Sequence, residues 1–387
     1  MSHAVENQGP WLRSARWDGF WMLSGLWLLP LLAVSAVVPG ALKSVLIVAS
    51  LLLWLSHRFA TTYSAFCTPA YRNLVIEQRR RFLWLPGVII LLTFGFVYAP
   101  HTVVPLDTWG KIQVMGTLFF LYNSYHFGIQ HYGVLSIYRI RTGQSPSGWL
   151  KRYEKFFCLA VGALAVAIAQ ICQGAEVVGD SIVYPVVSRD VFVSAFALLQ
   201  VAVPVIIVIL TAVFYVGEFK MGQASLPKVV YAAGLMLQGV LAYYLDPIAF
   251  LILWGVQHWL VSVALGGHMA QNDSSEIPDS SRWYGFWGRF KAFWPTVFVL
   301  CLASIVLSPF FEYAVHPEKI AEGPDFFSFL SPVLANTAIS NLFIALNFSS
   351  VFIHFVMDRA IFRFSHPSVR KVSIPLLFKQ RALSQNV

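Results

Sequence analysis

Charge is what this sequence has least of. Only 12% of its 387 residues are Asp, Glu, Lys or Arg, against 57% hydrophobic, and the mean hydropathy is +0.66. Soluble domains carry roughly 25% charged residues, so a water-facing globular protein is excluded. The four cysteines, Cys67, Cys158, Cys172 and Cys301, show no C-x-x-C spacing, which argues against a thiolate metal site and a disulfide framework. No fixed-period repeat or low-complexity tract is present. The His-x-x-His-His cluster of membrane desaturases and hydroxylases is also missing.

Apolar runs fill the chain instead. Stretches long enough to cross about 30 Å of hydrocarbon fall near 19–38, 44–66, 82–99, 113–138, 156–172, 191–216, 229–245, 247–271, 292–311 and 333–358. They predict an all-α polytopic bundle of about ten spans, forming one membrane domain over 1–387. The first run is too long for a signal-peptide core and is expected to be a retained helix. A net charge of +9 could suggest nucleic acid, but the basic residues sit in short loops between spans, so none is expected as a partner. Basic segments 67–81, 139–155 and 359–387 alternate with acidic segments 173–190 and 312–326, and positive-inside bias then puts both termini in the cytoplasm. This is the pattern of a multi-pass protein of a bacterial inner membrane. Asp246-Pro247 is expected to turn a tight hairpin between the seventh and eighth spans, and 272–288 is expected to be a flexible loop.

Four spans carry histidine inside the apolar run: His57, His126, His258 and His354. Ionisable groups in a bilayer are costly and usually face the bundle interior. The four helices run in the same direction at comparable depths, so the four imidazoles are expected to share one buried metal centre. An all-nitrogen set suits iron, zinc or copper. His131 lies about 140° around the helix from His126, so the two cannot both face one centre squarely. His268, after Gly266-Gly267, is a further candidate ligand or a surface histidine. Tyr125 and Asp358 are the expected chemical partners, with Asp358 one turn after His354 as a carboxylate for its second ring nitrogen or as a helix-end pair with Arg359. His3, His101, His316 and His366 are expected in solvated loops or tails.

Ser56-His57-Arg58, Tyr125-His126-Phe127-Gly128, Gln257-His258, and Ile353-His354 leading through Asp358 to Phe362-Arg363-Phe364-Ser365-His366-Pro367 resemble the Brp/Blh family of membrane β-carotene-cleaving dioxygenases. The family's Pro-His-Gly is Ser-His-Arg here, its His-x-x-x-His has Ser262 at the second position, and this chain has two to three more helices. The resemblance implies His57, His126, His258 and His354 as ligands or immediate partners of iron(II), with oxygen chemistry on a lipophilic molecule such as a carotenoid. Two other classes also accommodate intramembrane histidines: a transporter or proton-coupled carrier, and a membrane protein holding haem between two histidines.

Overall fold

A computed structural model gives the fold and describes residues 9–37, 41–177, 188–221, 224–245, 247–276, 281–315 and 330–378. The described residues are helical with no strand, as the apolar periodicity requires. The helices are α1 Ala15–Trp21, α2 Ser24–Val37, α3 Ala41–Cys67, α4 Arg72–Glu77, α5 Leu85–Tyr98, α6 Thr108–Arg141, α7 Gly148–Leu159, α8 Ala165–Val177, α9 Arg189–Lys220, α10 Leu226–Leu241, α11 Pro247–Asn272, α12 Arg282–Trp287, α13 Phe293–Val315, α14 Leu330–Leu334, α15 Thr337–Ile361 and α16 Pro367–Leu377. Two π-helical turns, Arg80–Trp84 and Ala160–Leu164, lead into α5 and join α7 to α8.

Five helical stretches are long and apolar enough to cross a membrane: Arg80–Tyr98, Gly148–Ala175, Arg189–Lys220, Phe293–Val315 and Thr337–Ile361. On α9 the apolar side chains Leu198, Val201, Val205, Ile206, Val208 and Ile209 are all at least half exposed. A row of that kind is stable against lipid and would be an aggregation hazard in water. Pro247 starts α11, where a missing N–H costs nothing, whereas Asp246 lies outside the described residues. Within the expected flexible segment 272–288, the chain forms α12, with Ser281 capping it by accepting from the Tyr284 N–H at 3.4 Å. Residues 277–280 lie outside the described residues.

By packing, the chain divides into two compact units, Met1–Ile47 with Asn123–Leu260 and Val48–Tyr122 with Val261–Val387. The first has a core of Phe127, Val166, Ala169, Phe196, Ala242, Tyr243, Phe250 and Trp254. It also buries a charged network. Lys228 on α10 is fully enclosed and donates to Glu154 on α7 at 2.6 Å, to Gln144 at 3.1 Å and to Glu218 on α9, while Arg139 on α6 pairs with Glu154. Two cations face two carboxylates, so the network is neutral and joins α6, α7, α9 and α10. At the unit's N-terminal end, buried Asp18 accepts from the Leu12 N–H at 2.7 Å and the Tyr138 hydroxyl at 2.9 Å, tying the chain start to α6.

In the second unit Val97, Ile112, Met115, Tyr313, Leu330, Ile344 and Phe348 form a separate core. Lys111 donates to the carbonyls of Val97 and Ala99 at 3.0 and 2.6 Å, capping α5. Tyr71 and Ser373 share a 2.8 Å hydroxyl contact, and Ser373 donates to the Ile361 carbonyl, which seats α16. Because breaking a buried ion pair leaves an uncompensated charge costing about 3–5 kcal/mol, Lys228→Met is expected to lower the thermal unfolding midpoint in detergent. Lys228→Met combined with Glu218→Gln is expected to recover part of that loss, and an unchanged midpoint for the single variant would contradict the clamp.

Candidate metal centre

His57 and His354 come together in the second unit. Their rings meet edge to face, centroids 4.6 Å apart and planes at 82°, with ligand nitrogens within 4.8 Å of each other. Both are buried. Helical periodicity puts them there: Asn347, Val351, His354 and Asp358 recur at three- and four-residue steps along the buried face of α15, and His57, Thr61 and Ser64 do the same on α3. Close approach of α3 is permitted by Gly266, where a Cβ would already stand 3.3 Å from that of Ala60.

Around His354 the two ring nitrogens have different surroundings. Nδ1 lies 3.4 Å from Thr61 Oγ1 and 3.5 Å from Asp358 Oδ1, within reach of a hydroxyl on α3 and of a carboxylate one turn away on its own helix. An acceptor at Nδ1 holds the proton on that nitrogen and leaves the Nε2 lone pair as the ligating one, the usual arrangement of metal-bound histidine. Asp358 thus lies against His354, while Arg359 is exposed.

The other pair stands in the first unit. His126 on α6 and His258 on α11 meet at 5.1 Å between centroids with planes at 79°. Phe127 stacks on His258 at 3.7 Å and packs edge-on against Trp254 at 4.1 Å. A Cβ on Gly128 would fall 2.9 Å from Leu159 Cδ2 and 3.1 Å from Leu159 Cα, so only glycine lets α6 and α7 touch here. The three residues of His126-Phe127-Gly128 therefore divide the work, the first pairing with His258, the second fixing its ring and the third closing the helices. Gln130 donates to the His258 carbonyl at 3.1 Å, and Gln238 donates to Gln257.

Both pair distances suit coordination. Two imidazoles on one ion at about 90°, with metal–nitrogen bonds of about 2.1 Å, place their centroids about 4.5 Å apart. Imidazoles with a carboxylate behind one of them make a donor set suited to a divalent first-row metal.

The remaining candidates have other surroundings. His131 Nδ1 is 2.7 Å from the Tyr231 hydroxyl, and its ring rests on Gly162, where a Cβ would lie 2.6 Å from Cδ2. His268 Nε2 is 2.9 Å from the Leu377 carbonyl, beside Asn272, which donates to Leu376 at 2.8 Å, so both cap the end of α16. Tyr125 stands on the exposed side of α6. His101 is exposed, His366 precedes α16, and His3 and His316 lie outside the described residues. Thr61 and Tyr231 were not foreseen from the sequence. Thr61 carried a signal, its four-residue spacing from His57, whereas Tyr231 lies a hundred residues from His131 and carried none.

The Gly162 contact is directly testable. Gly162→Ala should destabilise the protein by about 1–3 kcal/mol through overpacking, and His131→Ala should absorb much of that cost. Additive losses in the double variant would show that the two residues are not coupled. Compared with protein-family models, curated proteins and solved structures, the chain matches none.

Proposed function

We propose that this chain is a multi-pass membrane oxygenase that holds non-haem iron(II) through histidine pairs within its units, His57 with His354 and His126 with His258, and acts on a bilayer-soluble polyene of the carotenoid type. The observation that carries the reading is the His57–His354 pair with Thr61 and Asp358 behind Nδ1. That is the ligand-plus-acceptor arrangement metal sites use, built where ionisable side chains are costly. The resemblance around His126-Phe127-Gly128 and His354 supports the choice of iron and polyene over zinc or copper.

Iron(II), when bound, supplies the dioxygen activation that no side chain can perform. The protein's own contribution is positional. Asp358 and Thr61 hold the His354 proton on Nδ1, Phe127 fixes the plane of His258, and the apolar bundle excludes water. Aromatic side chains beside His354, with Tyr122 and Phe119 packed on Phe355 at 4.9 and 6.3 Å between ring centroids, offer flat apolar surface suited to a conjugated chain. The proposed membrane is the bacterial inner membrane, crossed about ten times with both termini in the cytoplasm.

Purified protein is expected to carry iron without a Soret band and to bleach β-carotene only when oxygen is present. Replacing His57, His126, His258 or His354 with alanine should abolish both iron retention and bleaching, while His101→Ala changes neither. Asp358→Asn should weaken iron binding or turnover about 10–100-fold, the range for partners of metal-bound histidine. Iron-free wild-type protein, or histidine variants with full iron and activity, would reject the oxygenase. For topology, a reporter fused after Val387 should be active on the cytoplasmic side, and a periplasmic signal would overturn the orientation.

A further inference from the structure

Arg58 follows His57 on α3 and is almost completely buried, 3% exposed. Its Nη1 donates to Asn347 Oδ1 at 2.7 Å, to the Asn347 carbonyl at 3.4 Å and to Ser350 Oγ at 3.3 Å, and the guanidinium lies 4.0 Å over the Trp54 ring. All these partners are neutral. Glu312 acts on Arg58 through space, but among the described residues no carboxylate forms an ion pair with it. Its Nε has no hydrogen-bond partner among the described residues, and the hydrogen bonds it makes there run through Nη1. The edge that makes no hydrogen bond among the described residues is the buried Nε–Nη2 fork, one of the two-donor edges with which arginine grips a carboxylate through two parallel hydrogen bonds.

The charged network of the first unit shows the contrast, since both of its cations face glutamates. A buried cation among apolar helices is expensive, and Glu312 answers this one only through space. Asn347 and Trp54 hold the guanidinium on two sides and leave its fork unused, which is the geometry of a receptor for an anion. Arg58 and Asn347 also stand on α3 and α15, the helices that carry His57 and His354. A ligand anchored at Arg58 therefore has its register fixed relative to that imidazole pair.

From this geometry we infer that Arg58 binds the carboxylate of a lipophilic acid, a long-chain or polyene carboxylic acid that enters from the bilayer with its charged end on the guanidinium. As an assignment of substrate class, the inference rests on the oxygenase reading. As an assignment of a binding site, it stands apart from the metal.

Equilibrium binding of radiolabelled oleate and of oleyl alcohol to the full chain in detergent tests it, with iron content and unfolding midpoint measured on the same samples. Wild type should prefer oleate roughly tenfold, the loss expected for one charge-assisted pair. Arg58→Met should abolish the preference while alcohol binding and iron content stay the same. Arg58→Lys keeps the charge without the fork and should retain only part of the preference, which covers the case in which Arg58→Met fails to fold. Equal binding of acid and alcohol by wild type, or a preference that survives Arg58→Met, overturns the assignment. Displacement of oleate by butyrate at equal concentration would also overturn it, because the anion taken would then be a small free carboxylate. An iron-free wild type that still prefers oleate would reject the oxygenase and leave the acid site standing.

Discussion

A polar group inside an apolar bundle has no water to turn to, and this constraint shapes each part of the molecule. Unpaired buried polar groups cost several kcal/mol in hydrocarbon, so side chains that cannot leave must satisfy each other. Lys228 and Arg139 answer to Glu154 and Glu218, Lys111 to helix-end carbonyls, and Asp18 to backbone N–H groups and Tyr138. The imidazoles obey the same rule differently. His131 and His268 bond to a hydroxyl and a carbonyl, whereas His57 with His354, and His126 with His258, meet ring against ring.

The histidines differ in what accounts for their place. One whose nitrogen caps α16 has its place explained by the helix it terminates. Two imidazoles edge to face, with a carboxylate one turn behind one of them, terminate no helix.

Much of this was legible in the sequence because membrane helices announce themselves by composition. The apolar runs located the helices, and the charged loops suggested an orientation. His57, His126, His258 and His354 stood out because histidine is rare where leucine and valine prevail, and Asp358 because it follows His354 by one turn. What periodicity could not supply was which histidine meets which, since pairing depends on how helices rotate and pack. Gly128 and Gly162 decide that rotation locally, yet in the sequence they look like any other glycine. His268 read as a possible ligand because its partner, the end of α16, lies more than a hundred residues away. Arg58 read as a departure from the Pro-His-Gly of the family that the histidine motifs resemble, and the neutral partners of its Nη1, Asn347 and Ser350, became visible only in three dimensions.

X-ray absorption at the iron edge of the purified protein would decide whether these histidines hold the metal. The expected result is a nitrogen-dominated first shell at about 2.0–2.2 Å with imidazole scattering, diminished in both His57→Ala and His258→Ala. A shell free of imidazole, or one unchanged by either substitution, would contradict it.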